Sequence, residues 1–446
     1  MANELEGLWR SRGYGTIAQV DGGSVRLIEQ TGKTCLLSDS YSTEEFVAEI
    51  EGKPDFEAGR FTLGHEGTLS TITFDRLDDG GFNSLCPEGL TRRSSDPELN
   101  FEVLWQTFDE HYAFFTEREV DWDAAYNRFR PQITKNTPDQ ALAEILGRML
   151  EELGDAHVGL YRGDDDLVSV GTRVRARLAK ECREVQGTAC NIRDYVRGRF
   201  AAHNAIIKKR YLENRFETVL GGDVIWGQIG ESTGYFRIDS MAGLASTGYS
   251  AEDDLTAVGS MLDGMLQGLG HLPRMIVDVR LNGGGYDAVA AAIASRFATS
   301  RQIFGSKRAH FGGEHTTPQD LVVDPGDRDG FQGEVAVLIS SETASAAEIF
   351  TMAMRALPQV TLVGTPTEGI LSDEFYRYLP NGWEFSLSNE IYLAHDGALF
   401  EAVGIPPDVK VPFLARTSLE DEVDEGIEAA LAHFSNDKRH AKTEAR

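Results

Sequence analysis

The chain has 446 residues, and its formal charge of −28 at neutral pH makes it strongly acidic. A surface of that sign repels phosphate groups, which argues against nucleic acid and anionic membranes as partners. With 41% hydrophobic and 26% charged residues the composition is that of a folded globular protein, and no apolar run is long enough for a membrane span. At this length we expect about two to four structural units.

The first segment, residues 1–93, is predicted to be a small β-rich domain. Short runs such as SVRLIEQ and TLSTITFDRL are separated by turns rich in glycine and aspartate. The chain has four cysteines and no CxxC pair, which argues against a zinc site. Whether Cys35 pairs with Cys86, or Cys182 with Cys190, stays open at this stage.

Residues 97–162 are predicted to form a helical bundle. FEVLWQTFDEHYAFF has apolar residues three and four apart, and TPDQALAEILGRMLEEL opens with a helix-start signature. Gly154 ends the last of these helices and leaves His157 at the head of a strand-like run. Residues 163–230 follow as a mostly helical insert rich in basic side chains, and a solvated helix surface is the simplest interpretation of that charge.

Residues 231–415 alternate strands and helices as an α/β core does, and residues 416–446 are predicted to be a C-terminal helix and charged tail. In the core, the apolar strand PRMIVDVR precedes the loop NGGG, and the apolar strand EVAVLI precedes SETASAAEIF. We expect the helix after EVAVLI to begin near Thr343 or Ala344. Ser345 would then lie in its first turn, where free N–H groups and the helix dipole favour negative charge.

Ser345 is therefore a candidate nucleophile, because the N–H of Ala346 would point where a tetrahedral intermediate carries its charge. Gly283 and Gly284, in the NGGG loop, are candidates for the second donor to that charge. The same loop could instead be a tight turn. A phosphate loop is disfavoured, since neither GxxxxGK[ST] nor GxGxxG occurs in the chain.

A serine needs a neighbouring base before it becomes a nucleophile. Among the ten histidines, the sequence favours His157, which follows a helix break, with His395 as a second candidate. The alternative for each is an ordinary structural histidine.

Several stretches, taken in chain order, resemble one serine peptidase family: LGDAHVGL, GYFRI, IVDVRLNGGG, TASAAEIF, VGTPTEG and EAVGIPPDVKV. It is the family of the C-terminal processing peptidases, the tricorn protease core and the interphotoreceptor retinoid-binding proteins, and the resemblance covers residues 100–413. It implies a mixed α/β (α+β) fold with a ClpP/crotonase-like peptidase core, to which the helical bundle is a cap and the β-rich domain an addition. Ser345 matches the nucleophile of this family, and the Ala346 N–H with the NGGG loop matches its oxyanion hole.

The branches of this family differ in the base. The Ser–Lys branch has a lysine after its T-x-G motif, where this chain has Ile370, so a Ser–Lys dyad is disfavoured. The tricorn-type branch uses a histidine ahead of the core and a glutamate before the closing G-x-x-P-D, and His157 and Glu401 match them. Two departures are visible: Ala156 stands where the tricorn motif has serine, and the insert lacks the glycine-rich loop of a PDZ domain.

The resemblance implies a serine-type endopeptidase that cleaves peptides or unfolded polypeptides through an acyl-enzyme on Ser345. His157 would be the general base and Glu401 its orienter, with no metal and no cofactor. A non-catalytic binding protein for apolar ligands, and an esterase or acyltransferase, are the alternatives on the same fold. Assembly into a homo-oligomer stays open.

The beginning of the chain, MANELEGLWRSRGYG, shows no secretory signal pattern. We therefore expect a cytoplasmic location, or a periplasmic or extracellular one if a signal has been removed.

Overall fold

The computed structural model describes residues 2–64, 66–78, 81–248, 250–326 and 330–444. Residues 445 and 446 of the predicted C-terminal tail lie outside the described residues. The chain divides into two compact units, and each contains several stretches of sequence. The first unit comprises Met1–Val170, Lys307–Gln319 and Ser372–Tyr392, and the second comprises Gly171–Ser306, Asp320–Leu371 and Leu393–Arg446.

The first unit begins with an antiparallel sheet of short strands. Its elements are α1 (Ala2–Leu5), β1 (Gly7–Ser11), β2 (Thr16–Asp21), β3 (Ser24–Gln30), β4 (Cys35–Ser42), α2 (Thr43–Ala48), β5 (Ile50–Asp55), β6 (Arg60–Gly64), β7 (Thr71–Arg76) and α3 (Gly81–Leu85). The strands pair in the order β4-β3-β2-β1-β7-β6-β5. Trp9, Phe61 and Phe74 lie on strands of this sheet and pack together, which gives it a buried aromatic core.

A helical stretch follows in the same unit, with α4 (Pro97–His111), α5 (Trp122–Phe129) and α6 (Asp139–Glu151) ahead of β8 (Gly159–Arg162) and β9 (Asp165–Ser169). The side chains of Asp96 and Asp121 accept hydrogen bonds from first-turn N–H groups of α4 and α5, as N-caps do. Gly154 has a φ of 59° and follows α6 in the left-handed conformation that ends helices. His157 therefore lies between α6 and β8.

The second unit begins with α7 (Arg173–Gln186), α8 (Ile192–Ile206), β10 (Phe216–Val219), β11 (Val224–Ile229), β12 (Thr233–Ile238), α9 (Ala251–Leu269), β13 (Arg274–Asp278) and α10 (Asp287–Ser295). The core sheet starts earlier than the predicted boundary at residue 231, because β10 and β11 pair antiparallel onto β12. The sequence pattern does not predict β10, because it is an edge strand. Its central residues Glu217 and Thr218 are exposed, so it lacks the apolar run of a buried strand.

The later elements are β14 (Gln302–Phe311), β15 (Glu314–His315), β16 (Gln319–Val323), β17 (Glu334–Ile339), α11 (Ala346–Arg355), β18 (Val360–Gly364), β19 (Glu374–Tyr378), β20 (Glu384–Ser388), β21 (Glu390–Ala394), β22 (Val409–Lys410), α12 (Arg416–Glu420) and α13 (Glu425–Glu444). One small sheet has the order β19-β20-β8-β9, and another the order β15-β14-β16 with β21 on β14. Of the helices in the described part of the chain, none combines the length and apolarity that a membrane crossing requires.

The main sheet of the second unit has the order β10-β11-β12-β13-β17-β18-β22 and is parallel from β12 onwards. Every residue of β12 and β13 is buried, as expected for parallel strands that are covered on both faces. Ile276 and Leu338 of the sheet share a core with Ile427 and Phe434 of α13. Because β13 and β17 are parallel neighbours, the loops that follow them leave the same edge of the sheet.

The four cysteines form two disulfides, Cys35–Cys86 in the first unit and Cys182–Cys190 in the second. The second bridge joins Cys182 of α7 to Cys190, which lies two residues before α8. The bridged cysteines are 51 and 8 residues apart. On chain entropy alone, closing such loops stabilises the fold by about 4 and about 2.5 kcal/mol respectively.

Candidate active site

The turn that carries the candidate nucleophile Ser345, residues 340–345 and called the nucleophile turn from here on, connects β17 to α11 and differs in detail from the prediction. The helix begins at Ala346, and Ser345 is its N-cap, with φ of 55° and ψ of −129°. Ser345 therefore lies just before the first turn rather than inside it. A non-glycine residue in the left-handed region is strained, and strain of this kind collects at functional sites. The side chain of Ser345 is half-buried.

Thr343 explains why the helix begins later than predicted. Its Oγ1 donates to the Val279 carbonyl at 2.8 Å and accepts from the Ser340 N–H at 3.0 Å. The hydroxyl thus closes the nucleophile turn and ties it to the end of β13, and it does not cap the helix.

The glycine loop, residues 282–285, follows β13 and lies against this turn. Gly284 has a φ of 106°, and a Cβ built on it would lie 2.6 Å from the Ser345 Cβ and 3.1 Å from the Ala346 nitrogen. Gly285, with a φ of 139°, approaches the backbone of Met241 in the same way. Only glycine lets neighbouring backbone come this close, so neither position can accommodate a side chain without moving the loop.

Asn282, for which the sequence predicted no role, organises the glycine loop and the nucleophile turn. Its buried side chain donates to the Ile238 carbonyl at 3.1 Å and accepts from the Gly284 N–H at 2.9 Å. Its own carbonyl accepts from the Ala344 N–H at 3.1 Å. The asparagine of the NGGG motif was visible, but two of its partners, Ile238 and Ala344, are distant in sequence and could not be read from it.

The predicted oxyanion donors are therefore not equivalent. The Gly284 N–H is engaged by Asn282, so Gly284 contributes its backbone conformation, which corrects its assignment as a free donor. Within the described residues, no acceptor is paired with the N–H of Gly283 or of Ala346. These two N–H groups can receive developing negative charge.

Glu401 lies in the second unit, where its buried Oε2 accepts a hydrogen bond from the Leu371 N–H at 2.7 Å. Next to it, the Ala402 N–H donates to the Gly369 carbonyl at 2.8 Å. The segment Thr367–Leu371, which we call the support loop, thus holds Glu401 by its side chain and by the adjacent backbone. The support loop itself forms no helix or strand.

Glu348, which lies in α11, fixes the support loop to that helix. Its buried carboxylate accepts from Thr367 Oγ1 at 2.6 Å and from the N–H groups of Gly369 and Ile370 at 2.8 Å each. Burial raises the pKa of Glu348 to about 7, while these donors stabilise the ionised form. Glu348 stands one helical turn after Ser345, a spacing that could have suggested its role.

His157 lies in the first unit and is described there by itself. Its N–H donates to Asp155 Oδ1 at 3.0 Å and its carbonyl accepts from Ser386 Oγ at 2.8 Å. The ring is buried, and its Nδ1 has no hydrogen-bond partner in the part of the chain that the structure describes. Asp155 is also held by the Tyr112 hydroxyl at 2.9 Å, so the backbone that carries His157 is firmly anchored.

His395, the second candidate base, and the lysine Lys307 have different surroundings. His395, in the second unit, is exposed at a turn that follows β21. Lys307, in the first unit, is buried with its Nζ 2.6 Å from Asp373 and 2.9 Å from Glu390. Across the described residues, no group of three or more His, Cys, Asp or Glu side chains is arranged to hold a metal ion.

Comparison with known proteins matches two parts of the chain. The profile of peptidase family S41 matches residues 232–411, and that of the tricorn protease C1 domain matches residues 95–151. The tricorn protease of Thermoplasma volcanium is 25% identical over 169 residues, which are 37% of this chain and 15% of that protein. The chain therefore spans only a small part of that relative.

Solved structures match a larger share of the chain. A putative peptidase from Parabacteroides merdae aligns with a TM-score of 0.61 at 28% identity, over 76% of this chain and 96% of that one. Mature CPAF aligns with a TM-score of 0.53 over 74% of this chain and 94% of that one, and at 13% identity it shows the fold alone. The mixed α/β fold is confirmed, and so is the resemblance to the serine peptidases of family S41, whose profile matches residues 232–411 of this chain.

Proposed function

We propose that this chain is an endopeptidase that cleaves peptides or unfolded polypeptides through an acyl-enzyme on Ser345. The observation that carries the proposal is the approach of the glycine loop, since a Cβ on Gly284 would lie 2.6 Å from the Ser345 Cβ. Backbone this close to a half-buried serine supports oxyanion stabilisation by the N–H groups of Gly283 and Ala346. A serine that only begins a helix needs no such approach.

In the proposed reaction, Ser345 Oγ attacks the carbonyl carbon of the scissile bond while His157 accepts the hydroxyl proton. The resulting oxyanion accepts hydrogen bonds from the Gly283 and Ala346 N–H groups. His157 then gives its proton to the leaving amine. In the second half of the reaction, water attacks the acyl carbon while His157 accepts a proton from it, and His157 then returns that proton to Ser345 Oγ as the acyl group leaves. Glu401 orients the imidazole and stabilises its protonated form.

The surroundings of His157 and Glu401 support these roles. The buried Nδ1 of His157 has no partner among the described residues, and leaving such a group unpaired costs about 1–3 kcal/mol. An orienting carboxylate would remove that cost. Glu401 is buried with its Oε2 fixed by the Leu371 N–H, which suits a carboxylate that must hold one direction.

The substrate class rests on the relatives, whose names describe a protease and a putative peptidase. Esters would react through the same groups, so a comparison of ester and peptide hydrolysis separates the proposed endopeptidase from an esterase or acyltransferase. A binding protein on this fold would have an unreactive Ser345.

The test is covalent labelling with a fluorophosphonate, followed by peptide mapping of the adduct. We expect one adduct, on Ser345, in the wild type. His157→Ala should be labelled about 10²–10⁴ times more slowly, because general-base help is lost. His395→Ala is the matched control and should be labelled at the wild-type rate, since that side chain is exposed.

The proposal fails if folded wild type gives no adduct, or an adduct on another residue. Equal labelling rates in His157→Ala and wild type would leave Ser345 reactive but remove His157 as its base.

We also propose that the protein works in an oxidising compartment, periplasmic or extracellular, because both cysteine pairs are bridged. Alkylation of intact cells before lysis should leave all four cysteines unmodified. If instead all four cysteines of the folded protein are alkylated, they are free thiols, and a cytoplasmic location is favoured.

A further inference from the structure

Arg173, at the start of α7, contacts the support loop. Its backbone N–H donates to both carboxylate oxygens of Glu368, at 3.1 and 3.0 Å. Its guanidinium donates to the Glu368 carbonyl at 2.5 Å, to the Thr367 carbonyl and, at 3.4 Å, to Glu368 Oε2. Arg173 thus binds the backbone of Thr367 and Glu368 and, in addition, the side chain of Glu368.

The same end of α7 also contacts the nucleophile turn. Arg175 Nε donates to Glu342 Oε1 at 2.6 Å, and the Thr172 hydroxyl donates to Oε2 of the same carboxylate. The side chains of Glu342 and Glu368 are only 5% and 8% exposed. Removing a cation would leave a buried carboxylate with fewer partners, which is costly.

Arg173 holds the first residues of the same loop whose later residues hold Glu401. Thr367 exchanges hydrogen bonds with Ile405, through its N–H at 3.2 Å and its Oγ1 at 2.6 Å. Farther along the support loop, Leu371 donates to the Glu401 carboxylate at 2.7 Å. A shift of the loop would therefore move Glu401.

Glu348 restrains the support loop from α11, and Arg173 restrains it from α7. Glu348 bonds the Thr367 side chain and two N–H groups, whereas Arg173 bonds the carbonyls of Thr367 and Glu368. The two sets of contacts do not overlap. An irregular segment held on both sides by charged groups is fixed in position more tightly than either side alone would fix it.

We infer that Arg173 is a positioning residue, which holds the support loop so that Glu401 stays aligned for catalysis. The inference rests on the proposed role of Glu401. On this inference the predicted helical insert contributes to catalysis through Arg173, whereas its sequence indicated only a solvated helix surface. Misplacement of a catalytic group by about 1 Å costs on the order of 10²-fold in rate.

The experiment compares Arg173→Ala, Arg173→Lys and the control Arg197→Ala in the full chain. Arg197 carries the same charge on α8, is exposed and pairs with Asp194 of its own helix. We expect Arg173→Ala to lower the fluorophosphonate labelling rate and the kcat for a peptide by about 10–100-fold, with KM nearly unchanged. Arg173→Lys should recover part of the loss, and Arg197→Ala should match wild type.

The pH profile separates positioning from stability. A carboxylate beside an imidazole raises its pKa, so a misaligned Glu401 should shift the acidic limb of kcat/KM to lower pH. If Arg173 only stabilises the fold, the labelled fraction at saturation falls while the rate and the acidic limb of the remaining sites stay at wild-type values. That result overturns the inference.

Glu368→Gln keeps the backbone contacts of Arg173 and removes only the charge pair. It should shift rate and pH profile in the same direction by a smaller amount, and it serves if Arg173→Ala does not fold. Unchanged kinetics in both variants, with wild type labelled on Ser345, reject this inference and leave the proposed function intact. If wild type is not labelled on Ser345, both proposals fall.

Discussion

Ser345→Ala is expected to reduce hydrolysis of an unfolded protein substrate by about 10⁶-fold, which is the cost of removing the nucleophile from a serine peptidase. The variant should fold normally. Alanine keeps the Cβ that already occupies this left-handed position, and the helix bonds that Glu348 and Ile349 make to the residue 345 carbonyl do not involve the side chain.

The measurement is the initial rate on a fluorescently labelled, denatured protein, with thermal unfolding of each variant alongside. Ser341→Ala is the matched control, because it changes the same atoms in the same turn, four residues away from the proposed nucleophile. It should keep a rate within a few-fold of wild type. Activity above about 1% in folded Ser345→Ala would mean that another residue is the nucleophile.

Gly284→Ala is expected to lower kcat/KM by about 10²–10³-fold, the loss that follows removal of one oxyanion donor. The added methyl group would lie 2.6 Å from the Ser345 Cβ, and the φ of 106° at this position disfavours any side chain. The loop must therefore move away from Ser345, and the Gly283 N–H moves with it. The backbone strain should also cost about 1–3 kcal/mol of stability.

Gly283→Ala is the control for this prediction. A Cβ on Gly283 meets no described atom within 4 Å, its φ is not in the left-handed range, and its N–H remains. We expect kcat/KM within a few-fold of wild type. Steady-state kinetics and thermal unfolding of both variants check the pair. Equal losses in the two would show that general loop flexibility, and not the contact with Ser345, matters.

The pattern of apolar residues was enough to find the strands that carry the site. β13 and β17 are continuous apolar runs because both faces of the sheet are covered, and each ends where small or polar residues begin. The stretches that resembled the peptidase family include these two strands and their loops. The match of family S41 to residues 232–411 confirms that resemblance.

Local pattern was not enough where a distant group competes with a local one. Thr343 is a good N-cap by type, but its hydroxyl bonds Val279, a residue 64 positions away, and the helix begins at Ala346 instead. β10 was missed for a different reason. As an edge strand it exposes the polar side chains that made it look irregular.

The sequence by itself determined which residues have the chemistry for a site, namely a serine at the start of a helix, a glycine loop and a glutamate in a family motif. Only the tertiary structure decided which backbone groups are engaged. It shows that the Asn282 carbonyl accepts a hydrogen bond from the Ala344 N–H, and that Arg173 meets Glu368 across 195 residues. Propensity and periodicity act over a few neighbouring residues, whereas these hydrogen bonds join groups whose separation is set by the packing of helices on the sheet.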